Sequence, residues 1–319
     1  PQKDWQENLE RIALAYEMAA IENISAFTNY TDENCDRQLF SASAWRCFDL
    51  YSVMDIPQNV NAKIFFVLHI CAMAYCGERW NDLKKWFLDN QEIILNGIQE
   101  DISDSWDQKI LKSIFRCWLK LFVKKDWDDL SQIGKEIASL RQSQKIYEEK
   151  YLMESGDSQQ SAFLLIALYN LSKSTELLAL YMMQGEPAAI HGQLDKHYEN
   201  SIEAALCAND TEFETILRWL HCASNYMVDG SVWWIARAIN SRTTDFVKYV
   251  TKNRSLFEML PPQKAAIREQ GLLDQASTAI AVEMPTSGGK TLLAEFKLLQ
   301  ALNQFDQEKG WVAYVAPTK

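Results

Sequence analysis

Apolar residues recur every three or four positions over most of the chain, which is the spacing that places them on one face of a helix. The first such stripe is Trp5, Leu9, Ile12 and Tyr16. Comparable stripes follow at 39–53, 64–75, 83–98, 110–123, 130–147, 163–183, 202–207 and 213–227. The pattern predicts that residues 1–250 form an all-helical accessory domain.

Cap-forming and helix-breaking residues separate the stripes, as expected for helices joined by short loops. They lie at 31–34, 55–59, 103–105, 155–158, 185–187 and 209–211. Helices of about twenty residues with such loops favour either a solenoid-like stack of helical hairpins or a bundle. Possible repeat starts at Trp80, Trp127 and Trp219 lack the Gly and Tyr that follow in a tetratricopeptide unit, so no named repeat is predicted.

The pattern changes after about residue 250. Pro261-Pro262 cannot continue a helix and gives a stiff connection. Beyond it, Ala279–Glu283 is predicted as a short buried strand and Thr291–Leu299 as a helix. The loop between them reads Met284-Pro285-Thr286-Ser287-Gly288-Gly289-Lys290-Thr291. A strand, a Gly-rich loop and a helix in this order predict a phosphate-binding loop.

In such a loop, backbone N–H groups surround the phosphates of a nucleotide, and a lysine and a hydroxyl complete the site. Lys290 is predicted to reach the β- and γ-phosphates, and Thr291 to hold Mg²⁺. ATP and Mg²⁺ are therefore the predicted cofactors, although Met284 stands where the strict pattern has its first glycine. The predicted loop contacts are Pro285, Thr286, Ser287, Gly288, Gly289, Lys290 and Thr291.

The loop resembles the first motif of superfamily 2 helicases of the DEAD/DEAH type, in which Pro-Thr-x-x-Gly-Lys-Thr is usual and the first glycine is often replaced. Leu260–Ile267 resembles the Q-type segment of that family, which implies that Gln263 reads the adenine edge. Without the loop, the simpler interpretation of Gln263 is a solvated polar residue at a helix start.

Val312–Lys319 is similar to the second core strand and motif Ia of the same family. The resemblance implies that Pro317, Thr318 and Lys319 touch a nucleic-acid backbone. It also implies that residues 251–319 are the truncated start of a RecA-like α/β P-loop lobe. Together with the helical pattern of residues 1–250, the expected fold class is mainly α, with a multi-helix N-terminal domain, solenoid-like or a bundle, followed by that lobe.

A narrower resemblance lies at the approach to this lobe. The run Ser255-Leu256-Phe257-Glu258-Met259-Leu260-Pro261-Pro262 is similar to the Ser-Leu-x-x-x-Leu-Pro-Pro run of some bacterial superkiller-like helicases. Those proteins carry long helical N-terminal regions, and several act in antiphage defence, the helicase subunit of the Hachiman system among them. The resemblance implies an antiphage role in which the helical domain docks a partner protein, such as a nuclease or another effector.

The sequence carries only part of the machinery that hydrolysis requires. No Asp-Glu-x-His or Asp-Glu-Ala-Asp run follows the loop, and there is no second RecA-like lobe with an arginine finger. These parts hold Mg²⁺, orient the attacking water and stabilise the transferred phosphoryl group. We therefore expect residues 1–319 to be inactive alone, and ATP-dependent helicase activity to belong to a longer protein.

The formal net charge of −11 has the wrong sign for a surface that binds nucleic acid unaided. Basic residues do concentrate before the lobe, and they form either a nucleic-acid contact or a solvated basic face. They are Arg237, Arg242, Lys248, Lys252 and Arg254.

Seven cysteines without a C-x-x-C spacing predict reduced, buried thiols. The adjacent pair His221-Cys222 is a poor chelator, because neighbouring residues on a helix point about 100° apart, so no zinc site is predicted. No stretch of eighteen apolar residues and no secretory signal occur, which predicts a cytoplasmic protein without a membrane association.

Three functional hypotheses follow. The first is an ATP-dependent superfamily 2 helicase or translocase acting on DNA or RNA. The second, compatible with the first, is that the helical region binds a partner protein. Trp233-Trp234 cannot both face one core stripe, so one ring is expected to pack inward and the other to meet the helicase core or that partner. The third is a helical sensor or protein-binding module attached to a regulatory P-loop NTPase that is not a helicase.

Overall fold

The computed structural model describes residues 2–28, 37–236, 243–273, 279–285, 288–305, 311–313 and 315. Within these residues the protein is mainly α-helical. It divides into two compact units. The first comprises residues 1–181 and 186–227, and the second comprises residues 182–185 and 228–319.

Thirteen helices occur in the described part of the chain. They are α1 (Gln2–Thr28), α2 (Arg37–Tyr51), α3 (Val60–Cys76), α4 (Trp80–Leu95), α5 (Trp106–Val123), α6 (Trp127–Glu154), α7 (Ser158–Gln184), α8 (Ile190–Cys207), α9 (Thr211–Gly230), α10 (Val232–Ala236), α11 (Thr244–Arg254), α12 (Pro261–Arg268) and α13 (Lys290–Phe305). Each predicted stripe overlaps one of the first nine helices, with those at 39–53 and 83–98 running past the helix ends, so the multi-helix prediction is confirmed. The predicted breaker at 31–34 lies outside the described residues.

Side-chain caps fix where several of these helices begin. Asn59, Asp126 and Asp210 each accept a hydrogen bond from the backbone N–H three residues later, at 3.1, 2.8 and 3.0 Å. Each bond satisfies one of the donors that a helix leaves open at its start, and such caps contribute about 1 kcal/mol each. Asn59 and Asp210 belong to predicted breaker segments, which therefore act as helix starts, whereas Asp126 is a cap that the sequence analysis did not single out.

Helix α9 packs at the centre of the first unit. Its Trp219 stacks on Phe40 of α2, with ring centroids 5.8 Å apart, and the indole N–H donates to Glu17 of α1 at 3.3 Å. Its Phe213 contacts Phe65 of α3 at 5.9 Å. In an open solenoid each repeat contacts only its neighbours. The contact of α9 with the first three helices therefore favours the bundle over the solenoid-like alternative.

A buried lysine closes one end of α4. Lys63 is only 3% exposed, and its Nζ donates to the carbonyl oxygens of Ile93 and Asn96, each at 3.0 Å. The last carbonyls of a helix have no partner within the helix and carry the negative end of its dipole. The ammonium group thus supplies both the missing hydrogen-bond donors and a positive charge opposite the negative end of the helix dipole.

In the second unit, the segment before α12 pairs with the segment that follows α9. The Val232 N–H donates to the Phe257 carbonyl at 3.0 Å, and the Met259 N–H donates to the Gly230 carbonyl at 2.8 Å. This short antiparallel contact holds the chain just before Pro261, where the Q-type segment begins.

Trp233 is the inward member of the tryptophan pair, as expected for one of the two. It is 6% exposed, and its Nε1 donates to the Met182 carbonyl at 3.2 Å. The backbone of Gly185 passes so close that a Cβ there would lie 2.6 Å from the indole ring. Trp234 is half-buried, and its role at an interface stays a prediction.

The burial of the cysteines largely agrees with the prediction. Among the six cysteines in the described residues, Cys47, Cys71, Cys76, Cys117 and Cys222 are buried and Cys207 is exposed. Burial raises the pKa of Cys47 to about 12. The expectation of a buried thiol is wrong for Cys207, because it sits in the last turn of α8 on an outward face. Cys35 lies outside the described residues.

One described helix, α7, is long and apolar enough to cross a membrane by length and composition. More than half of that stretch is buried inside the protein. Its apolar residues include Leu171 and Leu178, both fully buried, which is the pattern of a core helix.

The predicted strands are not found. Residues 279–283 are exposed and form no strand, and neither do residues 311–313 and 315. A strand needs hydrogen-bonded neighbours, and an isolated pair is at best marginal. In the described part of the chain neither segment has such a neighbour. The prediction of a buried strand at Ala279–Glu283 is therefore wrong for this structure.

Candidate nucleotide-binding site

The Gly-rich loop forms a tight turn that leads into a helix. The Gly288 N–H donates to the Pro285 carbonyl at 2.9 Å, which closes the turn. Gly289 follows with φ +72°, a left-handed conformation that favours glycine. Helix α13 then begins at Lys290, and this agrees with the helix predicted at 291–299. The order of turn and helix is that of an anion-binding loop.

Met284 has a packing role at the position where a strict phosphate-binding loop has its first glycine. A Cβ added at Gly288 would lie 3.2 Å from the Met284 sulfur. That distance is short for a carbon–sulfur contact, so any residue larger than glycine at 288 would displace the methionine. The two residues are thus complementary in size, because the large side chain of Met284 occupies the space that a side chain at position 288 would need.

Gln263 joins the two predicted motifs through both ends of its amide. Its Nε2 donates to the Gly289 carbonyl at 3.0 Å, and its Oε1 accepts from the Leu260 N–H at 2.9 Å, at the start of α12. The side chain is 3% exposed, so the alternative of a solvated residue does not hold. The Q-type segment and the loop therefore form one local structure, although 26 positions separate Gln263 from Gly289.

Position 289 requires glycine for two independent reasons. Its positive φ strains any residue with a side chain. In addition, a Cβ there would lie 2.2 Å from Nε2 of Gln263, which is a collision. The second glycine of the loop thus makes room for the buried glutamine.

Helix α13 is held along its buried face. Phe296 is fully buried and meets Phe246 of α11 edge to face, with ring centroids 5.4 Å apart. At the end of α11, Arg254 donates two hydrogen bonds to the Glu295 carboxylate, at 3.0 and 2.9 Å. That carboxylate raises the pKa of Arg254. Helix α11 therefore fixes the helix whose first turn follows the loop.

Lys290 and Thr291 both lie in the first turn of α13 and are exposed. That turn carries no acidic side chain. The first N–H groups of a helix have no partner within it, and together with the helix dipole they favour an anion. A cation, a hydroxyl and a helix start beside a tight glycine turn fit a nucleotide phosphate with its Mg²⁺.

The structure describes part of the predicted set of site residues. Outside the described residues lie Thr286, Ser287, Pro317, Thr318, Lys319, Arg237 and Arg242. Pro285 is exposed beside the turn, and Lys248 and Lys252 are exposed on α11. Arg254 is the member of the basic group that differs from expectation, because its guanidinium is engaged by Glu295.

Sequence reasoning did not find the supports of α13. Phe296 lies in the helix predicted at Thr291–Leu299, but no local pattern named Phe246 as its partner. Likewise, Arg254 and Glu295 are 41 positions apart, and each belongs to a different helix. A pairing across that distance has no signature in periodicity, because periodicity reports only the face of one element.

No protein-family model matches the chain, and no solved structure matches it. Two similar proteins are ATP-dependent DNA helicases named Hel308. The one from Pyrococcus horikoshii is 36% identical over 78 residues, which is 24% of this chain and 10% of that protein. The one from Methanocella arvoryzae is 45% identical over 62 residues, 19% of this chain and 7% of that protein. A limited region of the chain is therefore related to DNA helicases, and it spans a tenth or less of their length.

Proposed function

We propose that this chain is part of an ATP-dependent superfamily 2 helicase or translocase. Residues 251–319 form the start of its first RecA-like lobe, and residues 1–250 form a helical accessory domain. The observation that carries the proposal is the hydrogen bond between Gln263 and Gly289, because it unites the Q-type segment and the phosphate loop in one site. The partial similarity to the two Hel308 helicases supports the same class.

In this proposal ATP, bound with Mg²⁺, supplies the phosphoryl group that is transferred to water. Lys290 holds the β- and γ-phosphates, Thr291 holds the metal, and the N–H groups of the turn receive the phosphate charge. The wider loop, 285–289, shapes the cradle, and the acids that would orient the water belong to a longer protein. Residues 1–319 alone are accordingly proposed to be inactive.

We propose that Gln263 also reads adenine. A primary amide has two N–H donors and an oxygen with two lone pairs. In the structure one N–H goes to Gly289 and one lone pair receives the Leu260 N–H. One donor and one acceptor remain on the same amide plane, which is the pair that an adenine edge requires. We therefore assign Gln263 both to the loop and to the base.

The other parts of the proposal rest on resemblance. Pro317, Thr318 and Lys319 are assigned to a DNA or RNA backbone. The helical domain is assigned to a partner protein, such as a nuclease or other effector. The placement in antiphage defence, of the kind found in the Hachiman system, rests on the run 255–262 and on the long helical region that precedes it. We propose a cytoplasmic location, without a membrane association.

The test is nucleic-acid-stimulated ATP hydrolysis by the full-length protein and its Lys290→Ala variant. We expect turnover to fall by at least about a hundredfold, because the phosphates lose their principal cation while the exposed site leaves folding intact. Lys297→Ala, on the same helix, is the matched control and should keep its activity. Full turnover in Lys290→Ala would contradict the proposal. Hydrolysis that nucleic acid does not stimulate would instead favour the regulatory NTPase.

A further inference from the structure

A cavity of about 430 Å³ lies in the first unit, among helices α1, α2, α3 and α9. Its apolar walls include Leu14, Ile21, Phe65, Phe66 and Ile216. This volume and this apolar lining are typical of pockets that take small organic groups. Such a pocket becomes specific through the few polar groups that it also contains.

The principal polar group is a buried carboxylate. Glu17 is 5% exposed, and it accepts from the Tyr51 hydroxyl at 2.9 Å and from the Trp219 indole at 3.3 Å. His69 Nε2 lies 2.8 Å from the same carboxylate. Burial acts to raise the pKa of Glu17, but these three partners outweigh it, and the net pKa lies below the usual value. Glu17 is therefore ionised at neutral pH.

The cavity is negative whatever the protonation state of His69. Its charged lining residues are Glu17, Glu212 and His69, and no lysine or arginine is among the described residues that line it. With a neutral imidazole the two carboxylates leave two negative charges, and with an imidazolium one negative charge remains. The charge complementarity thus selects a cation.

We infer that this cavity binds an organic cation, an ammonium or guanidinium group carried on an apolar body. The faces of Phe65 and Phe66 can attract a cation through their ring quadrupoles, and the aliphatic walls desolvate the body. An ionised carboxylate has about four lone-pair sites. Three neighbours occupy sites on Glu17, so one remains for the ligand. A metal ion fits poorly, because no group of three or more His, Cys, Asp or Glu side chains among the described residues is placed to hold one.

The same chemistry can come from two sources. One is a free amine, and the other is a lysine or arginine side chain of a docked protein. Only the second source rests on the proposed docking role of the helical domain. Neither depends on the nucleotide site, so full ATPase activity in Lys290→Ala, which would contradict the proposed function, leaves the inference standing.

The experiment is a titration of the intact protein, without nucleotide or nucleic acid, followed by ligand-observed NMR and calorimetry. The first probes are 2-phenylethylamine and 2-phenylethanol, which differ mainly in charge. We expect the amine to bind at least about fivefold more tightly. The second probes are N-acetyl-phenylalanyl-arginine amide and its citrulline counterpart. Binding of the peptide but not the amine assigns the site to a docked protein, and equal binding of charged and neutral probes overturns the inference.

Variants locate the site. Glu17→Gln should abolish the preference for the amine, because it removes the buried charge and keeps the shape. Glu212→Gln, on the exposed rim, should weaken amine binding about threefold without affecting the fold. Glu203→Gln, an exposed change on α8 that does not line the cavity, should bind as the unaltered protein does. If Glu17→Gln does not fold, an unchanged affinity in Glu212→Gln still overturns the inference.

Discussion

The two units use buried polar side chains for different purposes. In the first unit, the Glu17 carboxylate accepts hydrogen bonds from side chains of three other helices. One of these partners, Trp219, is 202 positions away in the sequence. In the second unit, the amide of buried Gln263 bonds to main-chain groups, the Gly289 carbonyl of the loop and the Leu260 N–H at the start of α12. The comparison teaches that a buried polar group stabilises a packing arrangement when its partners are side chains. It fixes the local backbone when its partners are main-chain groups, as Gln263 does for the loop and Lys63 does for the end of α4.

The largest expected effect concerns the first unit. Trp219→Ala should lower the free energy of unfolding by about 3–5 kcal/mol, because it empties a fully buried site and removes one donor from Glu17. Urea denaturation, followed by circular dichroism, measures the change. Trp311→Ala is the control, since Trp311 is 97% exposed, and it should leave the curve unchanged. A loss below about 1 kcal/mol would show that α9 is not central.

Gly289→Ala should affect the loop of the second unit without affecting the packing of the first. We expect roughly tenfold weaker binding of a fluorescent ATP analogue to the full-length protein, because a Cβ strains the left-handed backbone and collides with Gln263. Urea denaturation of the first unit should be unaffected. Gly192→Ala, at a helical site with nothing within 4 Å of the added carbon, is the matched control. Unaltered nucleotide affinity in Gly289→Ala would show that the contact between Gln263 and Gly289 does not shape the nucleotide-binding loop.

The pH dependence of stability tests the carboxylate of the first unit. Because the folded-state pKa of Glu17 lies below the ordinary 4.5, the unfolded chain binds its proton first as the pH falls. Its contribution is therefore present above the ordinary pKa and is lost as the pH falls through the folded value. Unfolding free energies measured from about pH 7 to pH 3 should fall more steeply than in Glu17→Gln. Parallel curves would show that the network does not depend on charge.

The smallest effect is expected at the surface of the second unit. Arg254→Met should lower the melting temperature slightly at low salt, and the difference should vanish at about 1 M salt, because exposed pairs are screened. Glu295→Gln should behave alike, since it removes the other half of the pair. A difference that persists at high salt would mean that the guanidinium also packs, and not only pairs, against α13.

Much of the first unit could be predicted because a helix satisfies its backbone within one stretch of sequence. The stripe from Ile110 to Val123 reappears as α5, and Asp210 caps α9 where the breakers predicted a start. The strand predicted at 279–283 is not formed, because the hydrogen bonds of a strand must come from other segments and the local pattern does not report them. The choice between a bundle and a solenoid-like stack could not be made from the sequence for the same reason, since the contact of α9 with α1 has no local signal.

The candidate site divides in the same way. The motifs identified Gln263, Gly289 and Lys290 separately, and the structure places the first two in contact. Their link depends on where α12, which begins at Pro261, lies against the loop, so spacing alone does not reveal it. The Arg254–Glu295 pair was missed entirely, because a cation near a helix end looks the same in sequence whether it meets solvent, phosphate or a carboxylate.

Lys63 supplies a reporter of local opening. Its amine has both carbonyl partners at the end of α4 and almost no exposure, so an acylating reagent can reach it only when α3 and α4 separate. The exposed amines, such as Lys248, react at once in the folded protein. The slow labelling rate at Lys63, read by mass spectrometry, therefore measures how often this part of the first unit opens. The side chain that caps the end of α4 thus also reports how often α3 and α4 separate.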